Sequence, residues 1–281
     1  RAGASSFFAD IAVGPGLFAF TNRVRRLALA GDLELRRGRH DLAVGYVAER
    51  NDITYLAGSG DLDIDVARFR YRPDAVEGYV DDQWRPLGWL VVRSGIRATR
   101  VPGADFTGLA PRLLVKAFAG RSTAVSAAVG RYYQYVHSLR NEEIPISLFE
   151  FWIGANGVVP VSEADQAVVG VERWFRDDLS LTVEGFWKGM RNLVDQNPGH
   201  DPAKVGDEFR TARGAAYGLD LNVRKTSGRV TGWVAYTLGK VTRTADDGER
   251  FAPAQDRRHT LNIVGSFAGP LGAQWTVRFG Y

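Results

Sequence analysis

Four histidines, His40, His137, His200 and His259, are the side chains best suited to ligate a metal or move a proton near neutral pH. No two of them stand at metal-ligand spacing, and the His-Glu-x-x-His pattern is absent. The sequence holds no cysteine, which removes thiolate metal sites, thiol nucleophiles and disulfides. It also lacks a Gly-x-Ser-x-Gly elbow, a phosphate loop and a Gly-x-Gly-x-x-Gly turn. Ser126 and His137 would make a hydroxyl–imidazole pair, but nothing in the sequence positions one against the other. Asp61, Asp63 and Asp65 have the spacing that opens a calcium loop. Val66 stands where that loop needs glycine, and Arg72 stands where it needs its closing acid. A solvated loop or an alternating strand edge is the better reading, with an extracellular calcium contact as the minor one. No catalytic residue, metal site or cofactor is therefore expected, and the chain does not read as an enzyme. The remaining chemistry is recognition. Leu148-Phe149-Glu150-Phe151-Trp152-Ile153 puts three aromatics inside a polar connection. Phe149, Phe151 and Trp152 are candidates for contacting an amphipathic ligand, unless the segment is a short strand packing on its neighbours.

The elements that would carry such a loop are strands. Leu27, Leu29, Leu33 and Leu35 alternate with Arg26, Asp32, Glu34 and Arg36. Tyr217, Leu219, Leu221 and Val223 alternate with Gly218, Asp220, Asn222 and Arg224. Side chains on a strand change face at every residue, so such runs have one apolar and one polar face. About twelve strands follow from this pattern, near 24–36, 40–52, 74–84, 88–99, 108–119, 123–138, 165–176, 178–193, 212–226, 229–243, 256–267 and 273–281. Short connections near 37–39, 85–87, 120–121, 177, 227–228 and 269–270 take turns with longer ones near 53–73, 100–107, 139–164, 194–211 and 244–255. Membrane barrels sort their connections this way, with short periplasmic turns and longer extracellular loops. Tyr46, Trp89, Trp187, Tyr236, Trp275 and Tyr281 fall near strand ends, where amphipathic rings suit a lipid–water boundary. No uncharged run could form a membrane helix: the longest, His259 to Val277, contains three glycines and a proline. The 36 basic and 32 acidic residues form no dense cationic run, so no nucleic-acid partner is expected.

Within this pattern lie Ala128-Val129-Gly130-Arg131-Tyr132-Tyr133-Gln134, then Ala164-Asp165-Gln166-Ala167-Val168-Val169-Gly170-Val171-Glu172. Leu179-Ser180-Leu181-Thr182-Val183-Glu184-Gly185-Phe186 and Arg191-Asn192-Leu193 come next. Ala216-Tyr217-Gly218-Leu219-Asp220, Ser227-Gly228-Arg229-Val230-Thr231-Gly232-Trp233-Val234-Ala235-Tyr236 and Asp256-Arg257-Arg258-His259-Thr260-Leu261-Asn262 complete the series. In order and spacing these segments resemble the barrel of TonB-dependent outer-membrane receptors. Residues before about 120 match that family only in general character.

The resemblance implies an all-β fold, an antiparallel up-and-down transmembrane β-barrel, of which about 12 strands of a larger, about 22-stranded barrel are present. Residues 1–281 would be part of a single barrel domain, with the plug domain and the TonB-binding box not visible. The chain is expected to be a barrel-wall fragment of a longer receptor in the bacterial outer membrane. Its implied work is active uptake of a large nutrient: a metal chelate, a corrinoid or a glycan. Its implied partners are outer-membrane lipid, the TonB complex acting through the missing plug, and a small-molecule or oligosaccharide ligand. The full-length receptor would be a monomer. Arg131, Glu172, Glu184, Asp220 and Arg258 are expected to face the lumen and the plug, because a charge at mid-depth on the lipid face costs about 2–4 kcal/mol. Gly218 and Gly232, inside strands, are expected where another backbone comes close. A passive porin-like or structural barrel and a soluble β-rich binding module are the alternatives.

Overall fold

The structure is a computed structural model that describes residues 2–13, 18–59, 64–139, 151–197, 199, 209–253, 256–269 and 273–281. Phe149, Asp61, Asp63 and His200 lie outside the described residues.

Period-2 alternation resolves into strands β1 (Ala2–Val13), β2 (Phe18–Arg37), β3 (His40–Ser59), β4 (Ile64–Tyr71), β5 (Ala75–Leu87) and β6 (Leu90–Val101). They continue as β7 (Phe106–Ala119), β8 (Thr123–Gln134), β9 (Val136–Leu139), β10 (Phe151–Gly154), β11 (Ser162–Arg176) and β12 (Leu179–Gln196). The last are β13 (Phe209–Lys225), β14 (Val230–Ala245), β15 (Arg250–Phe251), β16 (His259–Ala268) and β17 (Gln274–Gly280). One sheet follows the order β1-β2-β3-β5-β6-β7-β8-β11-β12-β13-β14-β16-β17, each strand antiparallel to the next. β4 extends the β5 edge along the upper half of β3, and β15 does the same for β16 along β14. This is the up-and-down arrangement that alternation with local connections predicts.

Register fixes the two faces. Leu33 pairs with Val44, Val44 with Val80, and Val80 with Ile96. Farther along, Val129 pairs with Ala167, Ala167 with Trp187, and Trp187 with Tyr217. Residues directly opposite share a face, so these rows form one continuous apolar surface. That surface is exposed: Leu33 is 72% accessible, Val169 59% and Trp275 58%. A row of exposed large apolar residues over the whole sheet has no place in water and is the surface a bilayer requires. Tyr46, Trp89, Trp187, Trp275 and Tyr281 belong to the exposed apolar set.

The sequence misplaces several boundaries. Strand pairing reaches Ser59 on β3 and resumes at Ile64 on β4, so most of the connection expected at 53–73 is hairpin. The connection at 100–107 shrinks to a 3-10 turn, Pro102–Ala104, closed by Asp105 in the left-handed region. The turn expected at 85–87 falls at Gly88 and Trp89, and Pro86 sits in a bulge between Trp84 and Leu87. Proline lacks an N–H and is tolerated there because a bulge leaves a ladder position open. The first strand, β1, was not expected at all.

Candidate functional site: the charged concave face and the hairpin that crosses it

The opposite face of the sheet carries the charges. Glu34 and Arg36 on β2, Asp41 on β3, Asp81, Gln83 and Arg85 on β5, Arg93 on β6 and Arg112 on β7 share it. Residues from β2 through β11 line one cavity of about 610 Å³ on that face, so the sheet curves with its polar side inward. Much of the charge is paired within the wall. Arg85 donates to Asp41 at 2.7 Å and Arg93 to Gln83 at 2.7 Å. Arg97 donates to Glu77 at 2.7 Å. Arg112 lies over the Tyr132 ring at 4.7 Å, and its buried Nε has no hydrogen-bond partner among the described residues.

A second feature closes over the concave side. β9 and β10 form a small separate sheet, in which Leu139 pairs with Phe151 and His137 with Ile153. This hairpin touches β2 and β3 on one side and β12 on the other, which stand far apart in the sheet order. Ile53, Tyr71, Leu139, Ile153, Val159 and Val194 make its buried apolar cluster, with Val24, Trp152 and Phe209 packed against it. Below it Ala75, Val101, Ala155 and Val161 form a second cluster. The Tyr135 hydroxyl donates to Glu49 on β3 at 3.0 Å, and Glu49 also pairs with Arg26 on β2. The His137 ring is buried, with Nε2 at 3.1 Å from the Pro160 carbonyl. Burial pushes its imidazole below the usual histidine range, only partly opposed by that carbonyl. The hairpin therefore lies across the concave side, at the end of the sheet opposite the two-residue turns.

The sequence-derived residues divide. Glu172, Glu184 and Asp220 share the charged face. Glu172 receives Lys116 at 3.0 Å and the Trp174 indole at 3.1 Å. Glu184 stands directly opposite Asp220, whose carboxylate receives the Thr237 hydroxyl at 2.5 Å. Arg131 is on the other face. It is level with Val129 and Ala127 in alternation, donates to Asp165 at 2.8 Å, and joins Glu163 and Arg191 in an outward-facing network. Arg258 is exposed just before β16, its carbonyl accepting the Gly239 amide at 3.0 Å, and it borders a groove on the outer face. Phe151 pairs with Leu139. Trp152 is half-buried against the hairpin cluster, and its indole N–H has no partner among the described residues. Arg93, Arg112 and Asp81 were missed. Their polar parity in β5 to β7 was the available signal.

No protein-family model and no curated protein matches the chain. Solved structures do. The ferripyoverdine receptor of the outer membrane of Pseudomonas aeruginosa, solved with ferripyoverdine bound, superposes with a TM-score of 0.66 at 13% identity, over 100% of this chain and 42% of that one. The copper transporter OprC gives 0.66 at 11% identity, over 98% and 48%. The ferric yersiniabactin uptake receptor FyuA from Yersinia pestis gives 0.65 at 10% identity, over 99% and 45%. The chain thus has the fold of the barrel wall of outer-membrane receptors. It spans less than half the length of each of these three structures.

Proposed function

We propose that this chain is part of the wall of a TonB-dependent receptor in the bacterial outer membrane, one that imports a metal chelate. The observation that carries the reading is the sidedness of the curved sheet: a continuous exposed apolar surface outside and a charged, cavity-bearing face inside. A soluble module has no use for that surface. The metal chelate is favoured over a corrinoid or a glycan because proteins of this fold include receptors of ferripyoverdine and ferric yersiniabactin and a copper transporter. In this reading the inner charges seat a plug, with Glu184 and Asp220 offering carboxylates and Arg93 and Arg112 offering guanidinium groups. The aromatics Phe149, Phe151 and Trp152 contact ligand at the mouth. The energy comes from TonB through the plug.

The test uses the full-length gene. A strain lacking it should lose accumulation of radiolabelled ferric chelates under iron limitation. Uptake restored by the intact gene should disappear on adding a protonophore or deleting tonB. Uptake that persists in both conditions would instead favour a passive porin, as would a steady open conductance in planar bilayers.

A further inference from the structure

The end of the sheet that carries the short turns has a charge character for which transport gives no reason. Antiparallel pairing puts the turns β2–β3, β5–β6, β7–β8, β11–β12 and β13–β14 at one end, and the hairpins they close are consecutive in the sheet. Each turn has an exposed arginine within it or close beside it: Arg37 and Arg39, Arg85, Arg121, Arg176 and Arg229. The acids among the same turns and strand ends are Asp41, Asp177 and Asp178. Arg85 holds Asp41 at 2.7 Å, and Lys225 holds Asp178. Arg39 donates to the Pro86 carbonyl. The side chains of Arg37, Arg121, Arg176 and Arg229 have no hydrogen-bond or ion-pair partner among the described residues.

Charge is distributed differently at the other end. There Asp52 holds Arg70, Asp105 holds Arg100 at 2.8 Å, and Glu163 and Asp165 hold Arg131 and Arg191. Asp246, Asp247 and Glu249 stand together in one connection. The excess of cations thus belongs to the short-turn rim and not to the chain as a whole, which has 36 basic and 32 acidic residues.

Position and chemistry narrow the partner. Arg39, Arg121 and Arg229 lie in the turns themselves, past the last register pairs of their hairpins. They therefore project beyond the bilayer instead of along it. A guanidinium matches a carboxylate with two parallel hydrogen bonds. Neighbouring strands stand about 4.8 Å apart, so turns on successive hairpins recur about every 10 Å along the rim. A β-1,4-linked glycan repeats its disaccharide over a similar length. The barrel reading puts the short turns in the periplasm. A rigid comb of arginines there complements a glycan that bears carboxylate-rich peptides on alternate sugars.

We propose that the short-turn rim docks on the peptide-bearing glycan of the cell wall, with arginines of successive turns pairing carboxylates of its stem peptides. Each contact is weak and screened by salt. Several contacts on one rigid rim add through effective concentration. The inference rests on the barrel reading.

The experiment mixes the full-length protein, in neutral detergent, with purified sacculi and measures the fraction that sediments with them. Wild type should sediment at low salt and be released at high salt. R121Q combined with R176Q and R229Q should lower the bound fraction at least fivefold. Amidation of the carboxylates on the sacculi should do likewise. R100Q, at the opposite end, should bind as wild type does. Equal sedimentation of wild type and the triple variant, or undiminished binding to amidated sacculi, overturns the proposal. So does a protein that ignores sacculi but is held by phosphatidylglycerol vesicles through the same arginines, because its rim then reads lipid phosphate. Folding is read from the heat-dependent shift of the barrel on gels, and each single variant carries the same test if the triple one does not assemble. A protein that stays in solution without detergent and does not enter bilayers defeats the barrel reading itself. One that inserts but sediments regardless of these arginines defeats only this inference.

Discussion

Gly232 holds a backbone angle of φ 150°, and a Cβ there would stand 2.1 Å from the Val264 carbonyl oxygen. Gly218 faces the Phe186 ring, which would lie 2.7 Å from an added Cβ, with the Leu238 carbonyl at 2.4 Å. At both positions the close approach that glycine permits is made by a neighbouring strand of the wall. Replacing Gly232 by alanine should cost about 1–3 kcal/mol through strain and clash, seen as a lower temperature for loss of the heat-resistant barrel band. An unchanged temperature would mean that the strands part freely at this point. His137 supplies a second prediction, from a hairpin that lies outside the membrane-spanning strands. Its folded imidazole sits below the unfolded value of about 6.5, so the unfolded or undocked state binds the proton more readily. Linkage then makes docking fully favoured above about pH 6.5 and progressively weaker as the pH falls through that value. Amides of 151–154, corrected for intrinsic exchange, should lose protection in acid. In H137N that loss should flatten, and an equal loss in both proteins would discard the assignment.

At the scale of elements, the hairpin of β9 and β10 is the part least tied to the wall by backbone bonds. It is held by side chains, chiefly Leu139 and Ile153 against Ile53, Tyr71 and Val194. Truncating one such buried residue costs about 2–5 kcal/mol in a well-packed core, and the small cluster here should sit at the lower end. Ile153→Ala should open the Phe151–Gly154 strand to protease added from outside the cell, while the barrel keeps its heat-dependent gel shift. Loss of both would show that the hairpin and the wall fold as one unit. This element also marks the limit of what the sequence tells. Strands β2, β3 and β5 to β8 could be read because lipid forces strict alternation on them, as in Leu27, Leu29, Leu33 and Leu35. The segment 148–153 shows only an apolar, aromatic run. Such a run suits a ligand-facing loop and a docked strand equally, since burial against Ile53 and Val194 depends on residues about a hundred positions earlier and forty later. Arg131 failed for a related reason. Alternation gives a face only when the phase is known, and the phase is set by pairing with Asp165 and Ala167, not by the residue's charge.

For the whole molecule, the question is what fills the concave face. Charges inside a wall that met only water would be free to hydrate, yet Arg112 Nε and Arg97 Nε are shielded from solvent and have no hydrogen-bond partner among the described residues. Their surroundings, Asp41, Asp81, Arg85 and Arg93, already form a polar surface curved around about 610 Å³. If a domain seated there, its polar groups would meet this surface, and on its departure the exposed groups of the surface would return to water, which makes release and reseating less costly than for an apolar plug. If the face does seat a plug in the full-length protein, R93A with R112A should loosen it without dismantling the barrel. Cells carrying the double variant should become more sensitive to an antibiotic too large for porins, and chelate uptake should fall by several-fold. E184Q, which removes a charge opposite Asp220 without changing shape, should reduce uptake less than that double variant does. Normal antibiotic resistance together with normal uptake in the R93A/R112A cells would separate the charged cavity from any role in holding a plug.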